Sequence, residues 1–375
     1  MDELYLAALS TLPNLGRLTI LRLANLMGSS EAVYKAKKKE LISTNLLTSQ
    51  QVAMLLRERP EDLPVRLDYL TRKDGMRIIS IFDQDYPLSL KQLHDPPLVL
   101  YVKGELPKEN YRVAIVGSRN CTSYGVRATE EFAKALVSQG IPIISGGAKG
   151  IDSVAHEACL AAGGKTVAVM GCGLDVTYPY ENKELFERIQ ENGAIISEFP
   201  PTTPPKGCNF PMRNRIIVGL SQAVIVAEAA LASGASITAN IAADEGRDVY
   251  CVPGNIFDDT SAGCNQLIRN GANLITSAEE ILEDMERWRV ARLRGMETSI
   301  FDFTPLDLEE NNLQEENKSN KEEANCSEFG KELLNLLKRG TMSLEALTQK
   351  SGRDVPTVSM ELLDLQVAGL VKQDI

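Results

Sequence analysis

Along residues 76 to 295 the chain alternates between two hydrophobic periods. Seven short apolar runs, "RVAIVG", "IPIISGG", "KTVAVMG", "AIISEF", "QAVIVAEA", "RDVYCVPG" and "NLIT", follow two lead-in runs, "RIISIFD" and "PPLVLYVKG". They are too short for helices and show no polar alternate face, as expected of strands buried on both sides. Between most of them lie stretches with apolar positions three and four residues apart, among them "GVRATEEFAKALVSQG", "ENKELFERIQENG" and "SITANIAADEG". Strand and helix in this repeated order predict an α/β fold, a mostly parallel sheet with helices on both faces. In such sheets ligands bind outside the carboxyl ends of the strands.

The flanks follow other patterns. Residues 1 to 75 keep only the helical period: in "LPNLGRLTILRLANLMGSSEAVYKAKKKEL", Pro13 to Gly16 form a turn, and the leucines and isoleucine behind it recur every three or four positions. The arrangement resembles a helix-hairpin-helix or SAM-like unit, whose turn can offer backbone N–H groups to a phosphate. A small helical packing domain gives the same pattern. Residues 296 to 327 are polar and acidic without apolar periodicity, which predicts a flexible linker. Residues 328 to 375 read as three short helices, "EFGKELLNLLKRG", "SLEALTQKSG" and "DVPTVSMELLDLQVAG", and a closing strand "LVKQDI", the order of a winged-helix-like domain. Its third helix carries Asp354, Glu361 and Asp364 and no Lys or Arg. Phosphates would repel such a helix, so contact with protein is the expectation for this domain.

Charge changes the picture only once it is mapped. The formal charge is −11, but residues 297 to 328 hold ten carboxylates against Lys318 and Lys321. The remainder is close to neutral, so overall acidity does not exclude a nucleic-acid partner for the folded parts. Seven cysteines without a CxxC pair, an odd count, fit reduced thiols better than disulfides or a zinc site. With His94 and His156 as the whole histidine complement, no metal centre is expected, and no cofactor. No opening stretch has the form of a secretory signal, and no apolar segment reaches the roughly 20 residues that span a bilayer. A soluble cytoplasmic protein without a membrane partner follows as the expectation.

Candidate chemistry gathers at the strand ends. "RVAIVG" runs into "GSRNCTSYG", which places Gly117, Ser118 and Arg119 at a carboxyl edge. Glycine lets the backbone approach an anion, and arginine brings a planar fork matched to phosphate. The next strand leads into "SGGAKGID", where Gly146, Gly147 and Gly150 surround Lys149. Neither the Walker spacing GxxxxGK[ST] nor GxGxxG with a following acidic residue is present, which disfavours a nucleoside triphosphatase and a nicotinamide enzyme. "GCGLDVTYP" makes a third edge loop that shapes the pocket. In "SEFPPTTPPKGCNF" the prolines hold Lys206 and Phe210 outward, where Phe210 can stack on a base or pin the loop as a core residue. "PMRNRIIVGLS" predicts a helix beginning at Pro211 with Arg213, Asn214 and Arg215 in its first turn. Cations there oppose the helix dipole, an anomaly that phosphate binding would offset. His156 lies one turn past Asp152 without an activating motif, and reads as a satisfied helix residue.

Taken together, "GSR", "SGGAKGID", "GCGLDVTYP", "SEFP", "FPMRNRIIVGLS", "EAALASGASITA", "GRDVYCVPG" and "SAGCNQLIRNGA", in this order and spacing, resemble the DNA-processing protein A family, also called Smf. The resemblance covers roughly residues 80 to 290. It implies an extended Rossmann-like domain that binds single-stranded DNA, dimerises, and helps load the recombinase RecA onto incoming strands in natural transformation, with single-strand-binding protein as a further partner. It implies no catalysis. By the same resemblance, Gly117, Ser118, Arg119, Gly146, Gly147, Lys149, Gly150, Lys206, Arg213 and Arg215 face phosphates, while Phe210 and Asn214 face a base.

A rival from another class is a nucleotide-binding sensor or a phosphoribohydrolase acting on nucleoside monophosphates, which also uses a "GSR"-like loop. Those hydrolases carry "PGGxGTxxE" with a catalytic glutamate. The corresponding "EAALASGASITA" places Glu228 before the glycine instead of after the threonine.

Overall fold

The computed structural model describes residues 2–109 and 111–284, together with Phe329, Ser351 and Arg353. The expected linker at 296–327 lies outside the described residues, and so does the winged-helix-like segment at 328–375 apart from those three positions.

Six helices open the chain: α1 (Asp2–Ser10), α2 (Arg17–Met27), α3 (Ser30–Lys35), α4 (Lys38–Ser43), α5 (Ser49–Arg57) and α6 (Leu63–Lys73). Local chemistry sets their ends. The Ser29 hydroxyl accepts from the Ala32 N–H at the start of α3, and Thr48 with Gln51 forms a capping box on α5. Their buried Leu6, Leu9, Ile20, Leu23, Val33, Leu41 and Leu55 belong to the same apolar cluster as one face of the sheet. Residues 1–75 therefore share a core with the strands that follow.

Those strands are β1 (Arg77–Ser80), β2 (Val99–Gly104), β3 (Val113–Gly117), β4 (Ile143–Ser145), β5 (Thr166–Val169), β6 (Gly193–Ser197), β7 (Ala223–Glu228), β8 (Asp248–Cys251) and β9 (Asn273–Leu274). They form one sheet in the order β1-β2-β6-β5-β4-β3-β7-β8-β9. β2 runs antiparallel to β1 and β6, and every other pairing is parallel. The remaining helices are α7 (Leu88–Lys91), α8 (Ser123–Ser138), α9 (Ile151–Ala161), α10 (Lys183–Glu191), α11 (Asn209–Gly219), α12 (Gly234–Asp244) and α13 (Asp259–Arg269). The period of two sorts each strand between the layers. On β3, Val113 and Ile115 pack with Phe132 and Leu136 of α8 and Ile151 and Ala155 of α9, while Ala114 and Val116 join Ile216 of α11, Ala239 of α12 and Leu267 of α13. The result is an α/β architecture, as the alternating pattern predicts, and Rossmann-like, as the family resemblance implies. No helix among the described residues is long and apolar enough to cross a membrane.

Strand order also locates the site. β3 lies mid-sheet; β4, β5 and β6 build away on one side, and β7, β8 and β9 on the other. Chain direction across the sheet reverses between β3 and β7, and a crevice opens where their carboxyl ends diverge. Gly117 and Glu228 pair at that point.

His156 helps fasten α9 to the sheet. Its Nδ1 lies 2.7 Å from Thr166 Oγ1, and that hydroxyl donates to the Ile143 carbonyl at 2.8 Å. The threonine proton being committed, Nδ1–H is the donor, and the buried Nε2 has no hydrogen-bond partner. Burial first, and then the Arg213 charge, lower the His156 pKa from 6.5 to about 3. As pH falls through about 6.5 the unfolded chain takes up a proton on this ring, while the folded protein does not until about 3, so stability present at neutral pH is lost across that window. His156→Gln removes this component. Its urea midpoint, lowered at neutral pH by imperfect packing, is expected to fall less than the wild type's between about pH 7 and pH 4.5.

Candidate functional site

The crevice is built first by backbone. Ser118 N donates to the Glu228 carbonyl at 2.7 Å, and Ile151 N donates to the Ser118 carbonyl at 3.1 Å. This second bond draws the β4–α9 loop against the β3–α8 loop, an approach that Gly150 permits. Its φ is +82°, and a Cβ there would lie 2.3 Å from Ser118 O and 2.6 Å from Arg119 O. With these carbonyls held inward, the Arg119 side chain is exposed, its guanidinium 5.7 Å from the Phe210 ring centroid. Among the described residues Arg119 makes no ion pair, and it lines the groove described below.

The glycine loop holds an anion, but its own. The buried Asp152 carboxylate accepts from Gly146 N at 3.1 Å and Ala148 N at 3.3 Å, the N–H groups that an external phosphate would otherwise claim. Arg213 lies on the other side of Gly146 and donates from Nη1 to the Gly146 carbonyl at 2.6 Å and to the Val169 carbonyl. A Cβ on Gly146 would stand 2.7 Å from Asp152 Oδ2 and 2.8 Å from Arg213 Nη2, so neither side chain leaves room for one. Burial raises the Asp152 pKa, although Arg213 and the backbone donors oppose it, and burial lowers that of Arg213 to about 10. Gly147, at φ +62°, lies close to the Phe186 ring, whose Cε1 would be 2.9 Å from a Cβ there, and Asn182 Nδ2 donates to its carbonyl at 3.0 Å.

The remaining cations are spread out. Lys149 is half-exposed and ion-paired with Glu181, beyond the groove wall. Lys206 is exposed between Pro205 and Gly207, both of which line the groove. Arg215 points elsewhere: it donates to Glu198 at 2.5 Å and Asp95 at 3.3 Å, and both acids also bind Arg17 of α2. The four charges tie the amino-terminal helices to α11. That helix also begins earlier than the sequence predicts. It starts at Asn209, whose Nδ2 is anchored on the Gly171 carbonyl at 3.0 Å, so Arg213 and Arg215 fall in the second turn, clear of the positive end of the dipole.

Between these loops and the start of α12 lies an open groove of about 610 Å³. One wall carries Arg119, Phe210 and Tyr178; the other carries Ala230, Gly234, Ala235, Ile237 and Thr238; Asp152, Arg213 and Asn214 also line it. Phe210 is half-buried, packed on Gly171 and 5.6 Å from the Tyr178 ring at a tilt of 36°. Asn214 Oδ1 accepts from Arg213 Nε at 3.2 Å, and its Nδ2 reaches the Gly234 carbonyl at 3.5 Å, which joins α11 to α12. Of the positions expected to face a ligand, Gly117, Ser118, Arg119, Phe210, Arg213 and Asn214 come together here, with Lys206 at the rim. Gly146, Gly147 and Gly150 lie behind the wall, with Lys149 and Arg215 apart. Sequence reasoning assigned Tyr178 only a shaping part and missed the α12 wall. Its cue was "SGASIT" beginning five positions past the end of β7, with Ser233 capping the helix.

A family model described as DNA recombination-mediator protein A matches residues 77–286, which span the sheet and every loop of the groove. The chain belongs to the DNA recombination-mediator protein A family. As a member, it is a DNA-processing protein. It is 46% identical over 208 residues to DNA processing protein DprA of Streptococcus pneumoniae, covering 55% of this chain and 73% of that one. Protein Smf of Synechocystis is 37% identical over 289 residues, 76% of this chain and 73% of the relative. The crystal structure of the pneumococcal protein superposes with a TM-score of 0.64 at 36% identity over 76% of this chain and 97% of that one. DNA processing protein A of Helicobacter pylori, whose structure describes that protein's single-stranded DNA binding mode, gives 0.52 at 31% identity over 56% of this chain and 96% of that one.

Because Gly150 is where the two edge loops touch, Gly150→Ala combines a strained φ with a backbone clash. It is expected to destabilise the protein by about 2 kcal/mol or more and to open the β3–α8 loop, seen as a lower urea midpoint and faster proteolysis between Gly117 and Thr122.

Proposed function

We propose that the groove binds single-stranded DNA, and that the protein holds strands and passes them to the recombinase RecA without catalysing a reaction. The observation that carries this is Arg119: an exposed guanidinium with no acidic partner among the described residues, 5.7 Å from the Phe210 ring centroid at the mouth of a groove at the sheet's switch point. Phosphate and base each find a group there. The Arg119 fork and the Ser118 hydroxyl suit a phosphate oxygen, and the half-exposed Phe210 ring suits a base, a contact tolerant of sequence. Lys206 extends the positive side along the rim, and Lys149 stands beyond the groove wall, paired with Glu181. Gly117 leaves room for Ile151, whose Cγ1 would lie 2.6 Å from a Cβ there. Gly146, Gly147, Gly150 and Arg213 act by fixing the floor, Asn214 by setting the α12 wall, and Arg215 by holding α11 in place. The relative from Helicobacter pylori, with its single-stranded DNA binding mode, supports the same reading. Assembly as a homodimer, contact with single-strand-binding protein and action in the cytoplasm during DNA uptake belong to this proposal.

Binding without chemistry is favoured over hydrolysis by the state of the acidic groups. Glu228 is buried behind the groove, where its Oε2 accepts from Thr122 N at 2.9 Å and caps α8. The space it fills exists because Gly125 lacks a side chain, since a Cβ there would lie 2.0 Å from Oε2. Asp152 is spent on the glycine loop, and His156 is sealed beneath it.

Fluorescence anisotropy with labelled oligo-dT across a salt series tests the reading. Tight binding that weakens steeply with salt is expected, and Arg119→Ala should lower affinity about tenfold or more and reduce the slope by about 0.7, the share of one phosphate on a single strand. RecA filament growth on strands coated with single-strand-binding protein should be faster with the wild type than with Arg119→Ala. Turnover of a nucleoside monophosphate by a protein that binds no oligonucleotide would overturn the proposal.

A further inference from the structure

Resting on the groove reading, we infer that the strand continues out of the groove onto a second stacking subsite on the β5–α10 loop, formed by Tyr180 with Lys149 as its phosphate partner. Tyr178 makes the connection. It is part of the groove wall and in ring contact with Phe210, yet 40% exposed, so it forms the outer margin of the aromatic surface inside. Two residues further on, Tyr180 is 74% exposed, a large ring in water with no packing role. The loop beneath it is tied down by hydrogen bonds. Asn182 Nδ2 donates to the Gly147 carbonyl at 3.0 Å and lies 2.8 Å from Ser153 Oγ, which fixes this loop to the β4–α9 loop. A platform ordered in advance loses little entropy when a base settles on it.

Cations accompany the aromatic rings. Lys149, from the β4–α9 loop, reaches the residue after Tyr180 and pairs there with Glu181, and Lys183 stands exposed two positions beyond. Exposed aromatic rings interleaved with lysines are the equipment of sequence-tolerant strand binding. Both members of the Lys149–Glu181 pair are more than half exposed, so the pair contributes little to folding and a phosphate can displace the carboxylate. In the free protein Glu181 therefore occupies the lysine that the strand would use, and it also discourages adventitious anions.

The experiment is an oligo-dT length series with Tyr180→Ala, Tyr180→Phe and Glu181→Gln, all at exposed positions. In the wild type, affinity should step up once the strand is long enough to leave the groove. Tyr180→Ala should remove that step, about tenfold for one lost base stack, and leave the shortest bound oligonucleotide unaffected. Tyr180→Phe should retain the step. Glu181→Gln should strengthen binding of long strands only and steepen their salt dependence by about 0.7. An unchanged length series in Tyr180→Ala, or a loss equal at every length, overturns the subsite. Failure of the groove reading shows differently, as Arg119→Ala binding every length as the wild type does.

Discussion

Gly146 lies between two buried charges, the Asp152 carboxylate and the Arg213 guanidinium, and the site depends on that arrangement. Neither charge is solvated. Asp152 is satisfied by the N–H groups of its own loop, and Arg213 by the carbonyls of Gly146 and Val169. Each charge also offsets the cost of burying the other, so removing one would leave the other without its opposite charge. The two together fix the end of β4 against α11. The β3–α8 loop in turn leans on the β4–α9 loop through Gly150, so the direction of Arg119 depends on a charge arrangement it never touches.

The cations of the central motifs thus divide by task. Arg213 is a structural element of the floor. Arg215, with Arg17, Asp95 and Glu198, joins the amino-terminal helices to the helix that bears Phe210. Lys149 is paired with Glu181, while Arg119 and Lys206 remain open to solvent. A single "RNR" motif therefore contributes more to the shape of the groove than to its charge. The positive character of the mouth comes from a few exposed side chains on these loops, so local charge departs from the acidic charge of the whole chain.

Sequence by itself determined the layers. Apolar runs such as "VAIVG" and "AVIVAE" leave no polar face, so their burial on both sides, the parallel pairing and the location of ligand loops at the carboxyl edge all follow from pattern. It also pointed to the groove: Gly117 to Arg119, Phe210 and Asn214, which line it, were legible as candidates because glycines, a fork cation and a proline-held aromatic ring fell at strand ends.

Tertiary structure decided which of those groups are free. Lys149 and Arg119 look alike in a motif, but only contacts more than 30 residues apart show that one has an acidic partner and that the other, among the described residues, has none. Asp152 filling the glycine loop, Arg215 turned toward Glu198, the α11 start at Asn209 and the shared core of the first 75 residues have the same origin. Local pattern sets which face of an element is buried, because periodicity is a property of neighbours along the chain. Whether a buried or exposed charge is satisfied depends on groups brought to it by folding, and these no local period encodes.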